Sequence, residues 1–563
     1  MARLRLLPDS YRREQIFALS RRSQQVLFFA AATGIVTGAL VAGFEYVTRE
    51  VAYDALIEAP LWVRCFAPLV GLVAAALCIK FLGGESSATS EEYISNFHDR
   101  NRRLRLRPFP ATMLAAFFTL GSGGAMGYEG PAIYAGAETG TLLQSRLQRF
   151  FSRDEAKVLL VAGAAAGVAA IFRAPATGVV FALEVPYRDD LARRQLLPAS
   201  IAAAAGYLTF VAFLGTEPLL PVEGSPGFGF VELGGAMALG LLSGAIARGF
   251  SVGLRWMKEF SSGHDPVLLA VAAGSLLAGL AWLSEVVYDH PFTLGAGYDT
   301  VTWSLDPTHA ISLVALLFVL RAAATGLTLG GGGAGGLFIP LVVQGALLGS
   351  AVGGLFGDTD STLFPLIGIA AFLGAGYRVP LAAVMFVAET TGRPGFVVPG
   401  LIAAVTAQLM MGRWSVSRNQ LGSRLGHLER RFSMPLASAL KTDVLTIPPE
   451  ATAQEFFWNH VIGSRQQSVP VVDGADYVGT VKIEALREVP REAWEDTSIA
   501  DIMLTSVPVA HPDWLLRQAV EAMDAAAVDR LPVTDGRGLF IGVVTMDEII
   551  KLDDILEATG DEG

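Results

Sequence analysis

The 563-residue chain is predicted to fold as an α-helical polytopic membrane protein with inverted repeats, followed by a C-terminal α/β domain. Only 17% of its residues are charged and 52% are hydrophobic, whereas soluble domains carry about 25% charged residues. Its 61 glycines are spread through apolar stretches, where small residues let membrane helices pack closely. A pair of linked motifs also recurs in two halves of the chain. These observations exclude a disordered chain, a coiled coil and a typical soluble enzyme.

Apolar segments recur between about residues 26 and 411. Many have the roughly 17–25 residues that a spanning helix needs. Others are shorter and are interrupted by Gly or Pro, and such segments in matching positions of two halves point to a substrate site near the bilayer midplane. The long segments are 26–47, 61–82, 196–214, 233–252, 267–283 and 311–329, and the short ones are 131–143, 338–348 and 380–388.

The repeat is visible as two linked motifs. The pattern aromatic-Arg-x-Pro-x3-Val-x-Phe-x2-Glu occupies residues 172–184 and again 377–389. Upstream of each copy lies a glycine-rich turn that ends in proline, at 121–131 and at 330–340. Because both elements recur in the same order, an internal structural repeat explains them better than chance among Gly/Ala-rich helices.

The glycine-rich turns have the chemistry of anion sites. Each precedes an apolar helical stretch with proline near its first turn, where the missing N–H has no partner. Glycines allow the backbone N–H groups to point at a ligand, and the helix dipole adds partial positive charge. Glu129 lies inside the first turn, where its carboxylate is expected to occupy the anion site and to leave it on protonation. The alternative is a solvated loop glutamate.

Charge divides the chain into two parts. Residues 434–563 contain 9 Lys+Arg and 23 Asp+Glu, a net charge of −14, which leaves a net charge of +3 for the apolar remainder. The arginine-rich N-terminus predicts a cytoplasmic location for this end. Neither part has a dense basic stripe, so nucleic acid is not expected as a partner. The histidines do not cluster and no HExxH or CxxC motif occurs, so neither a metal site nor an enzyme is expected.

The tail is predicted to contain two similar α/β units. Each has the order [Val/Leu]-Pro-Val-x-Asp-Gly, at 469–474 and 531–536, followed by a strand containing Gly-x-Val. The predicted division of the chain is a basic cytoplasmic N-terminus at 1–22, a transmembrane domain at 23–413, a linker at 414–436, two tail units at 437–492 and 499–555, and an acidic end at 556–563.

Three motifs carry a resemblance to a known family. The Gly-Tyr-Glu-Gly-Pro turn at 127–131, the Gly-Gly-Leu-Phe-Ile-Pro turn at 335–340 and the Arg-Ala-Pro…Glu segment at 173–184 resemble the CLC family of chloride channels and proton-coupled chloride antiporters. The tail units resemble a pair of CBS domains. The resemblance implies small anions, chloride by default, as substrate, no required cofactor and a homodimer with one pathway per subunit. It implies a multi-pass protein of a bacterial-type inner membrane, with the N-terminus and CBS domains in the cytoplasm.

The resemblance also assigns site residues. Glu129 matches the external gating glutamate of the family, and Phe338 is expected to pack beside the central ion. The backbone amides that match the anion-lining positions are those of Gly127, Tyr128, Glu129, Gly130, Leu337, Phe338 and Ile339.

Three positions depart from the family pattern. Tyr128 replaces the arginine of the usual Gly-Arg-Glu-Gly-Pro turn, which removes a cation beside Glu129. Ser87 is the best match to the central serine, although the flanking glycines and proline are missing. Ser417 stands where the family has its inner tyrosine, and a shorter hydroxyl there leaves a wider mouth or coordinates through water. An ordinary helix cap is the alternative for Ser417.

A fourth departure concerns proton coupling. Proton-coupled members commonly carry an internal glutamate at the position of Val185, and valine cannot relay a proton. Glu184 is interpreted as mainly structural, because Glu389 recurs at the same offset in the second half. The leading hypothesis is therefore channel-like or weakly proton-coupled anion transport gated by Glu129. The alternatives are a chloride/proton antiporter with a water path past Val185, a CBS-regulated cation transporter of the magnesium type, and a nucleotide-sensing membrane receptor without flux.

The tail carries a candidate adenine-nucleotide site. The usual CBS ligand pattern is Thr/Ser-x-x-Asp, and the second unit has Thr545, Asp547 and Glu548 at the corresponding place. The first unit has Lys-Ile-Glu-Ala at 482–485 and lacks both ligands. A purely structural or dimerising role for the pair stays open.

Overall fold

The apolar part of the chain folds as helices, because backbone N–H and C=O groups in hydrocarbon must pair within their own segment. The computed structural model describes residues 9–83, 89–98, 108–151, 157–220, 222, 227–355, 362–422, 434–464, 466, 468–526, 528–549 and 551–552. It divides into two units, Met1–Arg424 and Leu425–Gly563. Within the described residues, eight helical stretches are long and apolar enough to cross a membrane.

The first unit contains seventeen α-helices in its described ranges. They are α1 Asp9–Glu45, α2 Asp54–Ile57, α3 Leu61–Leu82, α4 Thr89–His98, α5 Pro108–Gly121, α6 Glu129–Arg146, α7 Val158–Phe172, α8 Pro175–Glu184, α9 Leu196–Leu214, α10 Phe230–Ser262, α11 Pro266–Tyr288, α12 Tyr298–Ser304, α13 Ile311–Gly330, α14 Phe338–Leu355, α15 Leu363–Tyr377, α16 Pro380–Thr391 and α17 Val397–Met411. A π-helical segment, Tyr46–Tyr53, joins α1 to α2, and short 3₁₀ turns occur at Gln148–Phe150, Arg193–Gln195 and Pro394–Phe396.

The observed bounds agree well with the predicted segments. Helices α3 and α9 have the predicted limits, and the short interrupted segments are the cores of α6, α14 and α16. The segment predicted at 26–47 is part of a longer α1 that continues into the π-helical segment. This extension has no hydrophobic signature, because the residues added beyond the predicted segment, 48–53, include Thr48, Arg49 and Glu50.

Matched glycines pack the two halves in the same way. In the first half, a Cβ on Gly136 of α6 would collide with the Gly163 carbonyl of α7. In the second half, a Cβ on Gly345 of α14 would collide with the Gly368 carbonyl of α15. Helix backbones can approach this closely only where no side chain intervenes. The equivalent contacts confirm the internal repeat that the motifs predicted.

The acidic tail contains two short hairpins of antiparallel strands. Strand β1 (Ser468–Asp473) pairs with β2 (Asp476–Lys482), and β3 (Arg530–Thr534) pairs with β4 (Phe540–Thr545). Each hairpin has a register shift, between Val471 and Val472 in one and between Val533 and Thr534 in the other. The remaining elements are α18 Ala453–Glu455, α19 Ile499–Ile502, α20 Leu516–Ala525, a π-helical turn at Phe456–Ile462 and 3₁₀ turns at Leu436–Ala439, Ile483–Arg487 and Arg491–Ala493.

Candidate functional site

The two glycine-rich turns lie against each other. Gly127 N donates to Gly336 O at 2.9 Å, and Gly336 N donates to Gly127 O at 2.8 Å. Two threonines extend this pairing, since Thr328 Oγ1 accepts from Ala125 N and Thr119 Oγ1 accepts from Ala334 N, both at 3.1 Å. Each bond has its counterpart in the other half, so a local twofold axis relates the turns. The two helix N-termini converge there, as the sequence predicted.

The Glu129 carboxylate occupies the space between these turns, which we call the cradle. Its Oε1 accepts a hydrogen bond from Phe338 N, at the start of α14, at 2.7 Å. Its Oε2 has no hydrogen-bond partner among the described residues, and the side chain is fully buried. A Cβ at Gly127 or Gly336 would collide with the carboxylate, so glycine at both positions keeps the cradle open. A carboxylate at a helix N-terminus marks a place suited to an anion.

An aromatic cluster surrounds the side chain of Phe338. The centroid of its ring lies 4.5 Å from that of Phe172, 4.9 Å from that of Phe386 and 5.3 Å from that of Phe181. The Tyr377 ring follows, 5.6 Å from that of Phe181. Offset and edge-to-face packing of this kind is favourable, and it surrounds the amide that binds Glu129 with apolar surface.

A cavity of about 30 Å³ begins beyond the Tyr377 ring, and we call it the serine cavity. A volume of this size is enough to hold a water molecule. The hydroxyl oxygens of Ser90 and Ser417 are buried and lack hydrogen-bond partners in the described part of the chain. The cavity is lined by Ser90, Glu91, Met126, Leu254, Arg255, Lys258, Leu329, Gly335, Leu337, Tyr377, Val416, Ser417 and Arg418.

Cationic side chains give the serine cavity a positive rim. Arg255 Nη2 donates to the carbonyls of Ser415 and Ser417, at 2.5 and 3.1 Å. Lys258 pairs with Glu91 at 2.8 Å, and Arg418 pairs with a glutamate of α10. Arg255 has no carboxylate partner among the described ion pairs, and its guanidinium also lies 5.3 Å from the centroid of the Trp414 ring.

The structure places the predicted lining residues as follows. Gly130 and Ile339 are buried in the first turns of α6 and α14, and Tyr128 is buried immediately before α6. Leu337 and Ser417 line the serine cavity.

The predicted central serine, Ser87, lies outside the described residues. Ser90 lies in the serine cavity at the start of α4, and the motif comparison did not select it. In the sequence Thr-Ser-Glu-Glu at 89–92, a Thr is followed by a Glu three residues later, which is typical of a helix start. This pattern is the sequence signal that indicates a helix beginning beside Ser90. Tyr377, Arg255 and Lys258 are further cavity residues that the sequence reasoning missed.

The position of the missing internal glutamate is filled by a buried valine. Val185 follows α8, and its carbonyl accepts a hydrogen bond from Gln420 Nε2 at 2.8 Å. The neighbouring Glu184 accepts from Leu381 N and Ala382 N, at 3.2 and 2.8 Å, and so caps α16.

The repeat partner of Glu184 makes the reciprocal cap. Glu389 accepts from Ala176 N at 2.9 Å and from Thr177 N and Oγ1 at 2.6 Å, at the start of α8. The structural role predicted for Glu184 from this repetition is confirmed. Each acid therefore connects the two halves by capping a helix of the opposite half.

The second unit contains a polar cavity of about 240 Å³. Glu548 N donates to Thr545 Oγ1 at 3.2 Å, and the Glu548 carboxylate accepts from Lys551 Nζ at 2.8 Å. That hydrogen bond holds the pKa of Lys551 above its ordinary value. The cavity is lined by Lys441, Asp443, Val444, Gln466, Asp529, Arg530, Val543, Thr545, Met546, Asp547, Glu548 and Lys551.

The described residues contain no recognisable metal site. Among those residues, no group of three or more His, Cys, Asp or Glu side chains lies close enough to hold a metal ion. The polar groups that converge at the cradle are N–H donors, which attract anions.

Comparisons with known proteins agree with this geometry. A family model described as voltage gated chloride channel matches residues 70–412, and a CBS domain model matches residues 499–554. The H(+)/Cl(-) exchange transporter ClcA of Salmonella typhi is 27% identical over 428 residues, which cover 71% of this chain and 88% of the relative.

Two solved structures have the same fold. A CLC-type fluoride/proton antiporter aligns with a TM-score of 0.60 and 24% identity over 71% of this chain and 98% of its own. A eukaryotic CLC transporter aligns with a TM-score of 0.59 and 18% identity over 93% of this chain and 98% of its own. At these identities the likeness concerns the fold.

Proposed function

Because the chain belongs to the voltage-gated chloride channel family, we propose that it carries chloride across the membrane along a pathway gated by the Glu129 carboxylate. The observation that carries this proposal is the hydrogen bond from Phe338 N to Glu129 Oε1 at 2.7 Å. An anion that binds the same amide must replace the carboxylate. Protonation neutralises Glu129 and so frees the amide for chloride.

The proposed path runs from the cradle to the serine cavity. Chloride leaving the Phe338 amide passes the aromatic cluster and reaches the buried hydroxyls of Ser90 and Ser417. A hydroxyl can donate its hydrogen to an anion. Arg255 adds a positive charge at this end of the path. This charge raises the local anion concentration without binding the anion tightly.

We propose that proton coupling is weak, so that transport is channel-like or loosely coupled. Val185, immediately after α8, has no ionisable group, and the carboxylate of the neighbouring Glu184 is held by two backbone amides of α16. The second candidate is a chloride/proton antiporter. It is favoured by the competition of carboxylate and anion for one amide and by the exchange activity named for the relatives of the chain. In that case the proton reaches Glu129 through water past Val185.

Flux from liposomes separates the two candidates. Purified protein is reconstituted, and chloride efflux and internal pH are recorded together under a chloride gradient. The channel-like proposal predicts chloride efflux that drives no uphill proton movement. Stoichiometric proton movement against its own gradient would refute it and establish exchange. Glu129→Gln is expected to mimic the protonated gate, and unchanged flux and pH dependence would remove Glu129 from that role.

We further propose that the cavity in the tail binds an adenine nucleotide. Thr545 and Asp547 lie in it together with the cations Lys441, Arg530 and Lys551, which suit phosphate. Titration calorimetry of the full chain with AMP and ATP tests this, and Asp547→Asn should weaken binding while Asp513→Asn, in an exposed loop, should not. Equal binding by the two variants would remove Asp547 from the site, and the absence of binding heat in the unmodified chain would support the purely structural role.

The assembly and orientation follow as proposals from the family. We propose a homodimer with one pathway per subunit, residues 23–413 forming the transport domain, and the N-terminus, the linker 414–436 and the CBS units 437–492 and 499–555 in the cytoplasm. The basic N-terminal segment supports this orientation. Cross-linking in membranes and protease access from each side test the two statements separately.

A further inference from the structure

The glycine-rich turn that holds Glu129 has no cation of its own. Tyr128 precedes the gate and is buried, and Glu129 is the single charged residue in 121–131. A carboxylate that leaves the cradle, and an anion that approaches it, both need positive charge nearby. The question is therefore which residue supplies it.

The π-helical segment Tyr46–Tyr53 lies against this turn. A Cβ on Gly121, the first residue of the turn, would lie 3.1 Å from Ala52 Cβ and 3.6 Å from Thr48 O. The amide of Asp54 donates to Arg49 O, a hydrogen bond across five residues. A π-helical insertion rotates the following side chains relative to an α-helix, and such insertions occur frequently at functional sites.

Arg49 extends from this segment to the ring of Tyr298. Its guanidinium lies 5.4 Å from the centroid of the Tyr298 ring. Helix α12, which begins at Tyr298, packs against α14, and the first residue of α14 is Phe338, whose amide binds Glu129. Arg49 therefore contacts the half-buried Tyr298, which lies on a helix packed against the helix that binds Glu129.

The Arg49 charge is only partly neutralised. Arg49 Nη1 lies 3.1 Å from Glu45 Oε1, and Oε2 of Glu45 has no hydrogen-bond partner in the described part of the chain. About 36% of the Arg49 side chain is exposed, against 6% for Glu45. The cation thus faces the accessible space while its counter-ion stays behind it. Two other cations lie near this cluster and donate to backbone carbonyls instead: Arg173 to that of Glu217, and the fully buried Arg321 to that of Ala296.

We propose that Arg49 supplies the positive charge at the outer mouth of the anion pathway, where it attracts the incoming anion and stabilises the Glu129 carboxylate outside the cradle. With the N-terminus in the cytoplasm, the end of the first span that carries Arg49 faces the outside. A cation over an aromatic face is fixed without being fully paired, so its field extends into the mouth. The inference rests on the anion transport proposed above.

The test measures chloride efflux from liposomes at low and high ionic strength, the latter set with an impermeant salt. Arg49→Gln is expected to lower the initial rate by roughly 3- to 10-fold at low ionic strength and less at high ionic strength, because salt screens the attraction. Arg49→Lys is expected to keep most of the rate. Arg64→Gln is the matched control, since Arg64 forms an ion pair with Glu285 at 2.9 Å elsewhere in the unit.

A second variant keeps the proposal testable if Arg49→Gln fails to fold. Glu45→Gln removes the counter-ion and leaves the cation, so it is expected to raise the rate at low ionic strength. An unchanged or lower rate in Glu45→Gln, or an Arg49→Gln loss equal at both ionic strengths, would overturn the inference. Arg49→Lys as slow as Arg49→Gln would do the same. Absence of flux in the unmodified protein would instead refute the proposed function.

Discussion

The substitution Glu129→Asp shortens the side chain and keeps its charge, so it tests the length of the side chain separately from the charge. The separation of 2.7 Å between Phe338 N and Glu129 Oε1 would grow to about 4 Å, because the side chain is shorter by one C–C bond of about 1.5 Å. N–H···O hydrogen bonds extend to roughly 3.2 Å, so this bond is lost. Glu129→Asp therefore keeps the negative charge and loses the hydrogen bond to the start of α14.

The magnitude follows from that single bond. A hydrogen bond to a charged group contributes about 1.5–3 kcal/mol, and each 1.4 kcal/mol is a factor of ten in occupancy. Occupation of the cradle by the carboxylate should therefore fall by roughly 10- to 140-fold. Chloride flux near neutral pH should rise toward that of Glu129→Gln, and its dependence on pH should flatten.

The assay is chloride efflux from liposomes between acidic and neutral pH. Glu138→Asp is the matched control, because Glu138 lies on the same helix, is buried, and neither of its carboxylate oxygens has a hydrogen-bond partner in the described ranges. It has no such bond to lose, so its pH profile should equal that of the unmodified protein. If Glu129→Asp retains the unmodified pH profile, the bond to Phe338 N is not what closes the pathway.

Three further outcomes are expected. Glu389→Gln should lower the thermal unfolding temperature of detergent-solubilised protein more than Glu184→Gln, because Glu389 accepts three hydrogen bonds and Glu184 two; the reverse order would contradict the capping role. Ser90→Ala should slow chloride efflux without changing the unfolding temperature, and equal efflux would remove this hydroxyl from the path. Gly136→Val should destabilise the fold by separating α6 from α7, whereas Gly43→Val, with open space around its Cα, should be tolerated in the same unfolding assay.

The repeated elements could be predicted from the sequence because their chemistry is local. A glycine-rich turn, a proline near the helix start and a fixed spacing determine where N–H groups point, whatever surrounds them. The same holds for Glu184, whose recurrence as Glu389 indicated a structural partner across the repeat. The structure confirmed the cap because the two acids bind the N-termini of α16 and α8.

The serine cavity and the π-helical segment could not be predicted in this way. In the stretch 86–91, Ser87 and Ser90 are chemically alike, so spacing alone cannot decide which one reaches a cavity formed with α10 and residue 417. The position of Arg49 depends on an added residue in a helical turn, which changes direction without changing composition. Both features come from tertiary packing, which short motifs do not encode.

The proposed gate depends on one difference between two equivalent positions. Glu129 and Phe338 occupy the same place in the two turns, since each lies two residues after one of the paired glycines, Gly127 and Gly336. The carboxylate of one half therefore binds the amide of its own counterpart in the other half. Two glutamates here would place like charges in one cradle, and two phenylalanines would leave it without a titratable group. In the proposed mechanism, the symmetric pair of turns provides the anion site, and the single acid in one of them makes that site responsive to protons.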